Sequence, residues 1–306
     1  MTAPVSVVLA THNRRDTLAL SLAALEAQKG PSFRVVVVDD GSQDGTWQWL
    51  RSFEADSSRM SLTAIRQEHG GQGEARNRGL REVEDGLVVF IGDDIIPEPG
   101  FLAEHRAAHQ HLQGSWAVVG FTDWCRSRMR VTPVLEMVNR EGHQFGYGHM
   151  QGGEEVPFTC FYTSNLSVPR QLLGEDPFAP QFRCYGWEDV ELGYRLSKRG
   201  VRLTYHPAAR AEHLHPMSLG TLVARQRLVG RGLHTLLELH LELRDSPLLT
   251  SMWPPWWFPA GRALMPLAVP AADRLDRLGV PLATGLLHRI LICAFHQGVR
   301  SGLSRS

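Results

Sequence analysis

Residues 34–46 read RVVVVDDGSQDGT, four valines in a row that end on two aspartates and a glycine turn. A short β-branched run bounded by turn residues predicts a strand buried on both faces, as in a parallel sheet. Gly41-Ser42 turns the chain at once, so Asp39 and Asp40 stand at the strand's carboxyl end. Upstream, residues 5–10 (VSVVLA) repeat the pattern. Between the two runs Leu18, Leu22 and Leu25 recur at helical spacing, until Gly30-Pro31 closes the helix. Strand, helix, strand is one βαβ unit, and such crossovers are right-handed almost without exception.

Downstream the alternation continues. The spacing predicts helices over 47–53, 73–83 and 101–112, and strands over 62–66, 87–91 and 116–121. This is an α/β chain with a doubly wound, mostly parallel sheet, whose ligands bind beyond the carboxyl ends of the strands. His105, His109 and His111 on the 101–112 helix read as a solvated face. After Thr122 the rhythm loosens. Residues 142–155, rich in Gly, His and Gln, read as a loop, and 158–163 and 201–205 as strands. Residues 187–198 and 219–243 read as helices, the second with a weak point at Gly230 and Gly232. From Ser246 the composition shifts to Pro, Trp and apolar residues. The reading is therefore a domain over 1–245 and a C-terminal helical, Pro/Trp-rich extension over 246–306.

The 306 residues carry 32 basic and 32 acidic side chains. Zero net charge disfavours a duplex nucleic-acid partner, which would need a basic excess. Cys125, Cys160, Cys184 and Cys293 are scattered without a CxxC pair, which suits reduced thiols in a cytosolic protein. No run reaches the roughly 18 apolar residues of a spanning helix, and residues 5–10 lack a basic leader before them. The expectation is a cytoplasmic protein, attached at most to the inner face of a membrane.

Four constellations carry chemistry. Asp93 and Asp94 follow the apolar run 87–91, where a pair of carboxylates suits a hard divalent cation and its phosphate ligand; a simple turn pair is the structural alternative. At Asp39 and Asp40 a carboxylate can accept from a base N–H or a ribose hydroxyl, or cap the next helix. Trp187-Glu188-Asp189 opens a helix. Carboxylates there are favoured by the dipole, and one of them can serve as a general base. His213-Leu214-His215 places two imidazoles on one face of an extended segment, within reach of one ion. Just as informative, Ala10-Thr11-His12-Asn13 follows the first strand where a dinucleotide fold needs GxGxxG. The chain also has no GxxxxGK[ST] loop and no GxSxG elbow.

In order, VSVVLATHNR (5–14), VVVVDDGSQDGT (35–46), GEARNRGL (73–80), VVFIGDDIIP (88–97), TSNLSVPR (163–170), YGWEDVELGYRL (185–196) and the His213 segment resemble family 2 glycosyltransferases. The resemblance spans about two thirds of the chain. It implies the GT-A fold, inverting transfer from a nucleoside-diphosphate sugar to an acceptor hydroxyl, and Mn²⁺ or Mg²⁺ as cofactor. Asp40 matches the base-binding aspartate. Asp94 matches the metal-holding residue of the DxD-type motif, with Asp93 beside it. Asp189 matches the catalytic base, with Glu188 as its neighbour. His213 matches a metal ligand, with His215 as fallback. Ala10, His12, Arg76 and Trp187 fall in segments that line the nucleotide sugar. Ala10 departs from the family's usual hydroxyl there, which leaves the base open. The acceptor is a carbohydrate, lipid-linked or other hydroxyl. A sugar nucleotidyltransferase or a non-catalytic carbohydrate-binding protein are the competing readings. For the extension, with its cluster of Trp253, Trp256, Trp257 and Phe258 among prolines, the readings are packing or a homodimer contact, and peripheral membrane contact.

Overall fold

The computed structural model describes residues 4–56, 60–182, 186–246 and 255–303. Cys184, Tyr185 and Trp253 lie outside them. The residues group into two compact units. The first comprises residues up to Met129, His149–Pro180 and Asp189–His215. It holds strands β1 (Val5–Thr11), β2 (Arg34–Asp40), β3 (Ser61–Gln67), β4 (Leu87–Ile91), β5 (Ile95–Pro97), β6 (Trp116–Trp124), β7 (Glu155–Val156), β8 (Asn165–Pro169) and β9 (Arg202–His213). Its helices include α1 (Arg15–Glu26), α2 (Thr46–Asp56), α3 (Gln72–Leu80), α4 (Phe101–His111) and the single turn α6 (Arg170–Leu173).

The strands form one sheet in the order β3-β2-β1-β4-β8-β6-β9-β5, with β7 on β9. The β1–β2, β2–β3, β1–β4 and β6–β9 pairings are parallel, and every antiparallel pairing involves β5, β7 or β8. Val35, Val36, Val37 and Val38 are fully buried, as the unbroken apolar run requires of a strand covered on both faces. Leu18, Leu22 and Leu25 of α1 join Val7, Leu9, Val35 and Val37 in the core beneath the β1–β2 pair.

Three expectations are corrected here. Residues 158–163 are not a strand. Their amides bond locally, Cys160 to the Pro157 carbonyl and Phe161 to that of Phe158, which leaves nothing for a ladder. The last strand is longer than 201–205, because β9 continues through Pro207 to His213. It does so by an irregularity: Gly120 of β6 faces His206, but Phe121 faces Arg210. Residues 207–209 bulge out, which is where a proline is tolerated in a sheet. Asn165 locks the bulge by donating to the Phe121 and Ala209 carbonyls at 3.0 and 2.9 Å. Finally, His105 and His109 are not a solvated face. His105 is fully buried; its Nδ1 meets Ser167 Oγ at 2.8 Å and its Nε2 meets Asn165 Oδ1 at 2.9 Å. His109 Nε2 shares the same hydroxyl at 2.9 Å. Only His111 is exposed as read.

The second unit comprises Arg130–Gly148, Gln181–Glu188 and Pro216–Ser306. Helices α5 (Pro133–Arg140), α8 (Leu219–Leu239), α9 (Phe258–Arg277) and α10 (Thr284–Leu303) close around Val134, Leu222, Val223, Phe258, Met265, Leu287 and Ile290. The buried Asp276 carboxylate accepts the Val134 amide at 2.8 Å, and Asp273 accepts that of Leu219 at 2.9 Å, so α9 caps both α5 and α8. Gly230 is no weak point. A Cβ there would sit 2.1 Å from the Phe295 carbonyl oxygen, and one on Gly298 would sit 2.0 Å from that of Arg227; these glycines let α8 and α10 cross closely. Nor do prolines break α9. Pro266 and Pro270 lie on its exposed side, where carbonyls left without an amide partner face water. No described helix is long and apolar enough to cross a membrane.

Candidate functional site

β4 delivers Gly92-Asp93-Asp94 at its tip, and β5 leaves at once to pair with the end of β9. Ile95 stands opposite His213, and the Leu214 amide donates to the Asp94 carbonyl at 2.8 Å. That register brings three side chains together. Asp94 Oδ2 lies 3.3 Å from His213 Nε2 and 3.0 Å from His215 Nδ1. The two rings stack 5.2 Å apart, as i and i+2 on one face should. Trp124, the β6 neighbour of His213, also stacks on its ring at 5.3 Å and 13°. A Cβ at Gly92 would meet Asp94 Oδ1 at 2.8 Å and push that carboxylate from its place.

The paired aspartates part ways. Asp93 turns to β1 and accepts from Thr11 Oγ1 at 2.8 Å, while Ser21 Oγ holds its carbonyl. Burial, and then the charge of Asp94, push the Asp93 carboxyl up to about 7. Burial pushes Asp94 the same way, but His213, His215 and Arg14 outweigh it and hold Asp94 well below the usual carboxylate range. Arg14 is a partner the sequence did not single out. Its guanidinium pairs with Asp94 Oδ2, stands 3.6 Å from Asp93 and reaches 3.4 Å from His215 Nδ1.

The donor set fits a divalent cation. One carboxylate and two imidazoles offer ligand atoms all within 4.8 Å of one another. Two ligands at roughly 2.1 Å from one ion and at right angles are about 3 Å apart, close to the two Asp94–histidine separations. Asp93 is not part of this group.

Asp40, at the tip of β2, is the centre of a second cluster. Its Oδ1 accepts from Gln67 Nε2 and the Gly70 amide, both at 2.8 Å, and its Oδ2 from the Gly71 amide at 2.9 Å. His69 Nδ1 stands 2.9 Å from Oδ2, so four donors surround the carboxylate. His12 Nδ1 meets the Asp40 carbonyl at 2.7 Å, and its ring lies 4.3 Å from that of His69. His12, Asp40 and His69 also offer ligand atoms within 4.8 Å. Ala10 is the half-buried penultimate residue of β1, paired with Val38. Gln67 ends β3 and His69 follows it, and both were missed; a strand followed by Gly70-Gly71 was the available signal, since glycine amides approach a carboxylate closely.

Helix α7 (Glu188–Lys198) carries the third group. Asp189 Oδ1 accepts the Val190 amide at 2.8 Å and Oδ2 that of Thr163 at 3.4 Å, the pose of a carboxylate at a helix N-terminus. Trp187 and Glu188 belong to the second unit. There Trp187 takes a φ of 76°, rare for a bulky residue, and its indole donates to the Val229 carbonyl at 2.7 Å. Glu188 is buried. Arg76 is buried on α3, bonded to Gln72 at 3.3 Å with its guanidinium over the Phe178 ring.

Comparison with known proteins agrees. The profile of glycosyl transferase family 2 matches residues 6–164. Validoxylamine A glucosyltransferase of Streptomyces hygroscopicus subsp. jinggangensis (strain 5008) is 30% identical over 225 residues, 65% of this chain and 53% of that protein. Chondroitin synthase of Escherichia coli is 24% identical over 242 residues, 69% of this chain and 35% of that one. The chain thus spans about half, or less, of the length of these relatives. The fold is that of GT-A glycosyltransferases. The mannosyltransferase PcManGT from Pyrobaculum calidifontis, solved with GDP-Man and Mn²⁺, superposes with a TM-score of 0.70 at 19% identity, over all of this chain and 88% of that one. The chain belongs to glycosyl transferase family 2.

Proposed function

We propose that this chain transfers a sugar from a nucleoside-diphosphate donor to an acceptor hydroxyl, with inversion at the anomeric carbon and with help from a divalent cation, Mn²⁺ or Mg²⁺. The carrying observation is the Asp94–His213–His215 group at the sheet's carboxyl edge. A solved neighbour of the same fold holds GDP-Man and Mn²⁺, which supports the reading. Bound there, the cation would act as a Lewis acid on the diphosphate leaving group. Asp94, His213 and His215 would hold it, while Thr11 keeps Asp93 turned away from the imidazoles. Arg14 adds positive charge beside the diphosphate. Asp40 takes the base N–H on Oδ2 in exchange for the His69 donor, with the His12 ring beside it. Asp189, its carboxylate oriented by the Thr163 and Val190 amides, removes the acceptor's hydroxyl proton as that oxygen attacks opposite the leaving group. The transition state is oxocarbenium-like. Arg76 supports the donor site.

Donor choice is tested by incubating the protein with UDP-, GDP- and dTDP-sugars and Mn²⁺ and measuring free nucleoside diphosphate. Release with one base, abolished by EDTA and by Asp94→Ala at unchanged circular dichroism, is expected. Full release in excess EDTA, or from the Asp94→Ala protein, would refute the metal-assisted mechanism.

A further inference from the structure

Helix α9 has two apolar faces. The inner one, Phe258, Met265 and Ala272, is buried in the helical core. The outer one is exposed: Leu264 is 59% exposed, Leu267 76%, Leu275 42% and Leu278 69%. At 3.6 residues per turn these four, with exposed Ala271, fall within about a quarter of the helix circumference. Trp256, just before the helix, is 92% exposed, and Val280 and Leu286 extend the strip toward α10 at 43% and 45%. Isolated exposed leucines need no explanation, but a contiguous strip of seven large apolar side chains does.

The exposed charged residues of α9 and α10 are all basic. Arg274 borders the strip, Arg277 lies beyond it on the same side, Arg262 is on the far side of the helix, and Arg289 is exposed on α10. The acids of α9 are used inward: Asp276 is buried against the Val134 amide, and Asp273 caps α8 and pairs with Arg277 at 2.6 Å. Helix α10 has no acidic residue. A second copy of the chain docked on this strip would set arginine against arginine. An anionic lipid surface answers both features, since leucine and tryptophan bury at the acyl boundary while guanidinium groups reach phosphates.

We propose that the outer face of α9, led by Trp256, is a docking surface for an anionic lipid bilayer, on which the helix lies in the plane of the headgroups. It is independent of the catalytic reading, because binding requires neither donor nor cation.

The test is flotation of the full chain on phosphatidylcholine vesicles with and without phosphatidylglycerol, at low salt. The protein floats with the anionic vesicles only, and salt or Arg274→Gln/Arg277→Gln weakens it. Leu267→Asp/Leu278→Asp lowers the floated fraction at least roughly tenfold, because each leucine withdrawn from the interface forfeits most of its transfer free energy. Both sites are exposed, so the melting temperature stays unchanged. Three results overturn the proposal. The protein stays at the bottom with anionic vesicles. The double aspartate variant floats as well as the parent. Or the parent sediments as a dimer that the same variant dissociates, which makes the strip a self-association face.

Discussion

Arg14 uses the carboxylate oxygen that a divalent cation would need. It pairs with Asp94 Oδ2 and lies near His215, so a cation entering the group must displace that contact against a like charge. Arg14→Ala should therefore tighten Mn²⁺ binding to the nucleotide-free protein, by about tenfold or more if the two charges come within about 5 Å at an effective dielectric near 20. Calorimetric titration with Mn²⁺ measures it, and weaker binding would show that Arg14 helps build the site. Asp189→Asn should lower kcat by at least roughly 10²-fold with donor affinity nearly kept. Loss of donor binding instead would make Asp189 structural. His69→Ala removes one of the four donors around Asp40 and should change nucleoside diphosphate affinity without changing the Mn²⁺ requirement; an altered Mn²⁺ requirement would tie this cluster to the cation. The Asp94–histidine group was legible because a strand-tip carboxylate and an i, i+2 histidine pair are each set by local period. Arg14 and His69 were not, because their contacts depend on how the loops after β1 and β3 close over strand tips distant in sequence.

Helix α4 shows where local reading fails. Histidines at 105, 109 and 111 look solvated in a sequence with 14 of them, yet two are taken up by Ser167 and Asn165 of β8, a strand some 60 residues later. Burial pushes His105 down to about 3 and His109 to about 4. The sign follows. Both are neutral in the fold, whereas unfolded imidazoles titrate near 6.5. Below that pH the unfolded chain binds protons that the fold refuses, so stability is lost as pH falls from about 6.5 toward about 4. At pH 5 the loss from His105 is about 2 kcal/mol. Urea midpoints at pH 7 and pH 5 should show it, and His105→Gln should flatten the difference; an equal slope in that variant would place the acid sensitivity elsewhere. The α8–α10 crossing makes a second test. Gly230→Ala and Gly298→Ala put a methyl group against backbone carbonyls and should cost about 1–3 kcal/mol or more. Gly285→Ala, with nothing within 4 Å, should be neutral or better. Equal melting temperatures for all three would mean the helices can separate freely.

For the molecule as a whole, the change of composition at Ser246 suggested one boundary near residue 245. Packing in the second unit also recruits α5, α8 and residues 181, 182 and 186–188, because apolar stripes on separated helices find one another by shape, and composition does not mark that. Leu222, Val223, Val134 and Val138 share their core with Leu287, Ile290 and Leu291 of α10. A chain ending at residue 245 should thus expose these side chains and aggregate, or lose the melting transition of the helical unit. Calorimetry of a soluble, cooperatively melting truncation would refute that dependence. The mostly parallel character of the sheet was legible from the alternating β and α periods; the strand order was not. Nor was the antiparallel strand β8, because both its partners, β4 and β6, lie far upstream and nothing in its own period marks an insertion between them.

The bulge at residues 207–209 acts as a frame-setter for the end of β9. Side chains alternate with period two, and Phe121 counts forward from Arg210 to bring Trp124 opposite His213. A bulge one residue longer would bring Leu214 opposite Trp124 and turn both imidazoles to the wrong side of the sheet. A bulge two residues longer would restore the side and slide His215 into the place of His213. The length of an irregular segment far from any reacting atom, odd or even, thus decides whether a strand arrives with its histidines facing Asp94 or facing away.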